Sequence, residues 1–312
     1  MNKSLHSISF VTFVVLLIVC LVGCGGLTKA QRSGIPDFGK ATATLGNASK
    51  EQFQGGRETV IKMKKQQLAI EKIVLPEKRP DGTAVDRKYF EEKVLNLDSG
   101  LDPANIETRV NAVELLIKYG NLLVAFSENT QEKELTAAAT EFTDSIKEFP
   151  NNTLTADEVK GLGQLVIMAG KLWVENEKKE ALKKIIPTVS PLITQVCDIL
   201  EKDFDLKKNG VLADIFNTQD RLANAAIDGL KTGGGSINDR LLLIDGFAFA
   251  NENKLAVETS SPKLLKAVDS LRKADKNLTV LINDDNSISS ADIKSFADDA
   301  KDLANAIKPF LK

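Results

Sequence analysis

Few residues of this chain are of the types that usually carry chemistry. Among 312 residues there is one histidine, His6, and there are three cysteines, Cys20, Cys24 and Cys197. His6, Cys20 and Cys24 lie in or beside an apolar run, Phe10 to Val22, broken only by Thr12. If that run is cut away, no histidine remains. Ser-His and Cys-His pairs then lack their base, and a zinc site would have Cys197 alone of the usual soft ligands. Cys197 follows Val196 on a helical stripe, so it is expected to pack as a small apolar side chain. Ser-Lys chemistry stays formally open, but no serine occupies a G-x-S-x-G turn.

Other constellations fall short on spacing. Gly233-Gly234-Gly235-Ser236 follows Lys231-Thr232. A phosphate loop needs its Gly-Lys-[ST] after the turn and a strand before it, so the segment reads as a flexible connection. Asp284 to Asp292 has some carboxylates of a calcium loop. Counted from Asp284, however, Ser289 stands where glycine is required and Ser295 where glutamate is required. A turn followed by a helix N-cap accounts for the same residues. Carboxylate groups are plentiful: Glu91-Glu92, Glu107 with Glu114, and Asp298-Asp299 with Asp302. Hydrolysis would need one of a pair held in an apolar pocket with a raised pKa. The last group interleaves with Ile293, Phe296, Ala300 and Leu303 and is expected mostly on the solvent face. Lys62, Lys64 and Lys65 form a small basic cluster, suited to anionic headgroups or glycans, or simply a solvated face. No cofactor or metal site is assigned.

The N-terminus reads as an address. Lys3 is the only charge before an apolar run of 13 residues, which has the proportions of a signal peptide. A membrane-spanning helix needs about 20 apolar residues, so an uncleaved anchor would be short. The run ends in Leu21-Val22-Gly23-Cys24, which resembles the lipobox of bacterial prolipoproteins. The resemblance covers about the first 25 residues. It implies cleavage before Cys24, diacylglycerol on the Cys24 sulfur, and acylation of the new amino terminus. Cys20 fits less well because Val19 precedes it. Three acyl chains would hold the protein on a membrane stably. With Cys24 committed to lipid, no internal disulfide to Cys197 is expected. Gly25-Gly26 follow where the resemblance would place an aspartate for inner-membrane retention, so it implies the outer membrane of a Gram-negative host. No later stretch approaches about 18 apolar residues, so the remainder is expected to be soluble.

The elements that would hold these residues are all helical. Apolar residues recur at three and four nearly everywhere. Four stripes are clear: Leu264, Ala267, Leu271, Ala274, Leu278, Leu281; Ile293, Phe296, Ala300, Leu303, Ile307; Leu135, Ala139, Phe142, Ile146, Phe149; and Val189, Ile193, Val196, Leu200, Phe204. Helices are predicted over 37–73, 84–98, 103–127, 131–148, 156–178, 188–207, 211–230, 237–254, 263–282 and 290–308. Asp102-Pro103 opens one of them, and Thr155 with Glu158 and Thr83 with Asp86 have capping-box spacing. Pro150, Pro187 and Pro262 are expected between helices. Gly55-Gly56 is expected to kink or divide the first, whose length suggests an elongated bundle. Trp173 is expected to complete the stripe from Val159. Phe247 and Phe249 cannot share one helix face, which makes them a candidate interaction surface.

Two halves are recognisable by an internal likeness. Asn152–Lys160 aligns with Asn286–Lys294 at an offset of 134 residues, and the stripe from Val159 keeps that offset. Ile106–Arg109 matches Ile237–Arg240 at a shorter one. Duplication and convergence of cap sequences both explain this. The expected organisation is a signal peptide over 1–23, the lipidated cysteine and a tether over 24–34, a helical half over 35–180 and a second over 181–312. The halves either pack as a pseudo-symmetric pair or form one continuous bundle.

Composition completes the expectation. The net charge is −2 and aromatic residues are 5% of the chain, so neither a basic field nor stacking residues point to nucleic acid. The chain is expected to be an all-α, lipid-anchored envelope protein. Its expected role is a non-catalytic binding, adaptor or structural module, with an envelope protein or glycan as partner. A carboxylate-dependent hydrolase of envelope carbohydrate and a membrane-active or curvature-sensing helical protein are the alternatives.

Overall fold

The computed structural model describes residues 27, 29–71, 78–98, 100–127, 132–150, 152–172, 175–233, 235–283 and 289–307. Among these the chain is all-α. In order the helices are α1 (Lys29–Ile70), α2 (Arg87–Tyr89, passing into a wider π-helical turn, Phe90–Leu95), α3 (Pro103–Ser127), α4 (Glu132–Glu148), α5 (Ala156–Leu172), α6 (Glu175–Phe204), α7 (Val211–Lys231), α8 (Ile237–Asn283) and α9 (Ser289–Ile307). An isolated bridge between Lys78 and Ala84 is the nearest thing to a strand among the described residues.

Three of the four predicted stripes form the core; of the fourth, Ile293 is buried and the side chains of Phe296, Ala300, Leu303 and Ile307 lie outside the described residues. Leu264, Ala267, Leu271, Ala274, Leu278 and Leu281 are buried on α8, and Val189, Ile193, Val196, Leu200 and Phe204 on α6. The α4 stripe, Leu135 to Phe149, is buried too. One cluster of buried side chains runs from Leu27 to Ile293, drawing on both sides of residue 180. Its axis is α1, which packs against α3, α7, α8 and α9. Ring contacts fill the centre: Phe53 stacks on Phe204 at 5.7 Å, and Tyr119 meets Phe142 at 5.7 Å. The proposed division near residues 180 and 181 falls inside α6. Between the two like segments, the first half has two helices, α3 and α4, and the second has one, α8.

Several boundaries differ from expectation, each for a physical reason. Pro187 and Pro262 lie inside helices, as do Pro36 and Pro191. A proline removes one helical hydrogen bond, at a cost of about 3 kcal/mol. Packing on both sides offsets that loss: Ile185, Ile186 and Val189 flank Pro187 in the core, and Val257 and Leu264 flank Pro262. Beside Pro262, Ser261 Oγ also donates to the Phe204 carbonyl at 2.7 Å, tying α8 to the end of α6. The two helices predicted over 237–254 and 263–282 are thus one. Gly55-Gly56 does not divide α1 either. A Cβ on Gly56 would lie 2.8 Å from Ile215 Cδ1, so the glycine admits α7 instead of breaking the helix. Thr83 caps no helix. It donates to Asp81 in a turn, and Asp86 is the N-cap of α2, accepting from Tyr89 N–H at 2.7 Å. The Thr155–Glu158 box forms as expected.

Helix α3 has a window of mean hydropathy 1.2, long and apolar enough by composition to cross a membrane. Here it is a core helix. Leu115, Leu116, Tyr119, Leu122, Leu123 and Phe126 are buried against α1 and α4. Polar ties then lock the frame. Arg109 on α3 grips the buried Asp203 on α6 through two bonds of 2.7 and 3.0 Å. Asp203 also accepts from Val211 N–H at the start of α7, and an ion so satisfied is tolerable at low exposure.

Candidate functional site

Most of the acids singled out by sequence are engaged structurally. Glu91 and Glu92 are exposed and pair with Arg87 and Lys88 one turn earlier. Glu114 accepts from Lys50 of α1 at 2.5 Å, and Glu107 is exposed elsewhere on α3. Asp298 and Asp302 are exposed as expected. Asp299 is not: it is half-buried against α8, where Lys266 and Ser270 donate to it at 2.8 and 2.7 Å. The lysine cluster is divided among surfaces. Lys62 sits 4.1 Å over the Phe249 ring, while Lys64 is half-buried within reach of the Arg221 charge of α7. Burial and that neighbouring charge hold the Lys64 ammonium below its ordinary pKa. Cys197 is buried, and burial pushes its thiol up to about 12, as befits an inert packing residue. Cys24, Trp173 and most of the calcium-like segment lie outside the described residues.

The least satisfied surface is on the N-terminal half of α8. A capping box starts this helix: Ser236 N–H donates to Asp239 at 2.8 Å and Asp239 N–H returns to Ser236 Oγ at 3.3 Å. Gly235 makes room for it. Its φ is +57°, and a Cβ there would meet the Asp239 carboxylate at 2.4 Å. Beyond the cap the helix is apolar on two opposite sides. Leu243, Gly246, Ala250 and Val257 face inward, Leu243 over Gly229 and Gly246 against Ile70 and Leu222. On the other side Ile237 is 72% exposed, Leu241 52%, Ile244 51% and Leu255 66%. Phe247 flanks this face half-buried, and Phe249 packs on the core, which resolves the aromatic pair. A groove of about 280 Å³ adjoins the patch, with Ile70, Glu71, Gly229, Leu242 and Leu243 among its walls.

Comparison with known protein families, curated proteins and solved structures gives no match. The site therefore has to be read from its own chemistry. A shallow apolar face on a helix supplies contact area for another surface.

Position within the fold adds a second fact. Gln31 Nε2 donates to the Leu281 carbonyl at 2.6 Å, whereas Ile70 lies beside Gly246. Helices α1 and α8 are thus antiparallel. The start of α1 is level with the end of α8, and the exposed face from Ile237 to Leu255 is at the far end. At 1.5 Å per residue the separation along α8 is about 40–65 Å.

One strongly perturbed group went unnoticed in the sequence. Asp275 is buried on α8, and burial raises its carboxyl to about 6, although Ser190 Oγ donates to it from α6. Its Oδ1 has no hydrogen-bond partner among the described residues. Tyr119 of α3, buried with an unbonded hydroxyl, is near enough for Asp275 to push its pKa further up. The signal was positional: Asp275 comes four residues after Leu271 and three before Leu278, on the buried stripe.

Proposed function

We propose that this chain is a lipid-anchored protein of the bacterial envelope that acts as a non-catalytic helical binding module. The observation carrying the binding role is the apolar outer face of α8, Ile237 to Leu255, which is exposed among the described residues while the α4, α6 and C-terminal α8 stripes are buried. Anchoring rests on Lys3, the apolar run and Leu21-Val22-Gly23-Cys24. The two parts support one another. An anchor at Cys24 would put the membrane at the start of α1, and the α8 face would then stand away from the lipid. Such a module works by surface complementarity, and the lipid supplies location and effective concentration.

The anchor is tested by Cys24→Ala in the full chain expressed in a bacterium. The wild-type chain is expected to be shortened, to incorporate labelled palmitate and to sediment with membranes. The variant is expected to stay unprocessed and unlabelled. An N-terminus left uncleaved and unlabelled in the wild-type chain, with membrane partitioning unchanged in Cys24→Ala, would overturn the lipid assignment in favour of an uncleaved anchor.

A further inference from the structure

The exposed side of α8 is a heptad seam with self-complementary flanks, and we propose that it pairs with the same helix of a second copy, parallel and in register. The seam residues are Ile237, Leu241, Ile244, Ala248, Asn251 and Leu255, spaced four, three, four, three and four, and all six are exposed. That is the spacing of a coiled-coil core, with Ile237, Ile244 and Asn251 at d and Leu241, Ala248 and Leu255 at a. Leu at a with Ile at d suits more than two strands in free helices, but here the bundle occupies the opposite side of each helix and leaves room for one partner. The inward face occupies the c and f positions, Leu243, Gly246, Ala250, Asn253 and Val257, so packing onto the bundle leaves the seam clear. Asn251 is the one polar residue of the seam, and its amide needs a partner once the seam is covered. Two Asn251 side chains satisfy each other only when they meet across the dyad.

The flanking charges select both partner and direction. The g positions carry Arg240 and Lys254, and the e positions carry Asp245 and Glu252. Parallel helices bring each g residue to the e residue five places on in the partner. Arg240 then meets Asp245 of the other copy, twice per dimer. Neither makes an ion pair within its own chain among the described residues. Lys254 is already held by Asp220 at 3.3 Å. Antiparallel pairing would place e against e and g against g. Asp245 would then face Asp245, and Arg240 would face Lys254, which is repulsive. The same direction suits two chains anchored in one membrane, because it keeps both α1 starts on one side. That last support rests on the proposed lipid anchor; the seam and its charges do not.

The test uses the full chain in a non-ionic detergent, followed by sedimentation equilibrium and mild oxidation. The wild-type chain is expected to show a monomer–dimer equilibrium. Arg240→Glu and Asp245→Arg are each expected to weaken it about tenfold, and the double variant to restore it to within a few-fold. All these positions are exposed, so thermal unfolding at concentrations where every variant is monomeric should be unchanged and serves as the folding control. Leu241→Cys and Leu255→Cys, made singly, are both expected to give a disulfide-linked dimer absent from the wild-type chain. Cross-linking at only one of the two, or between the two in a mixture, would overturn the parallel arrangement. A chain that stays monomeric and cross-links at neither would overturn the seam as a dimer contact. Repeating the measurement on Cys24→Ala separates the readings: a dimer that persists there stands independently of the anchor, which is judged by processing and palmitate label alone.

Discussion

Gly120→Ala is expected to destabilise the fold by about 3 kcal/mol, although alanine is the better helix former by about 1 kcal/mol. Gly120 lies on α3 where it crosses α1. A Cβ added there would be 2.3 Å from the Gly39 carbonyl oxygen and 2.8 Å from the Ala43 nitrogen. The contact is reciprocal, since a Cβ on Gly39 would be 2.6 Å from the Gly120 oxygen. Both colliding groups are backbone, so no rotamer change can relieve them. The helices must part, and the buried contacts beside the crossing, Phe38 with Tyr119 among them, loosen with them. The control is Gly161→Ala on α5, where a Cβ would meet nothing within 4 Å. That change is expected to add about 0.5–1 kcal/mol. Urea unfolding of both variants checks the pair. Equal stability for the two would mean that α1 and α3 do not cross at these glycines.

This crossing shows where sequence reading succeeds and where it stops. Helical periodicity made the α4, α6 and C-terminal α8 stripes legible residue by residue, because burial of one face is what the period records. Gly39 and Gly120 left no such trace, since a close approach is a property of two helices and neither sequence contains it. Pro187 and Pro262 misled for the related reason that local propensity lost to tertiary packing. Their cost is local, and the burial of Ile185, Ile186, Val189 and Leu264 that offsets it is not. The α8 seam was half legible. Ile237, Leu241, Ile244, Ala248 and Leu255 have heptad spacing in the bare sequence, but so does any core helix. Only the packing of Leu243 and Gly246 on α7 and α1 reveals that the heptad side is the outer one. The segment after Lys231 joins α7 to α8, as its glycines predict. The capping box of Ser236 and Asp239 at its end has the spacing that Thr155 and Glu158 use.

Asp275→Asn is expected to stabilise the protein at pH 8 by about 2 kcal/mol, the opposite sign from most core substitutions. The carboxyl titrates near 6 in the fold against an ordinary value of 3.8, because a charge at this depth loses its water. A shift of that size corresponds to about 3 kcal/mol spent on ionising a buried group at neutral pH. Asparagine carries no charge and keeps an oxygen for the Ser190 hydroxyl. Its amide would sit where Asp275 Oδ1 lacks a partner, which returns about 1 kcal/mol of the gain. The pH dependence fixes the sign independently. Between about pH 4 and 6 the folded state holds a proton on Asp275 that the unfolded chain has released, so the contribution of Asp275 to stability falls as pH rises through that window and levels off above it. The groups nearest Asp275, Ser190 and Cys197 on α6 and Tyr119 on α3, do not titrate there. Subtracting the wild-type curve from that of Asp275→Asn should therefore leave a difference that grows from pH 4 to 6 and is flat beyond. Denaturant unfolding at half-unit steps measures it. A difference independent of pH would mean that Asp275 is hydrated, and the helices around it, α3, α6 and α8, would then be packed less closely than described.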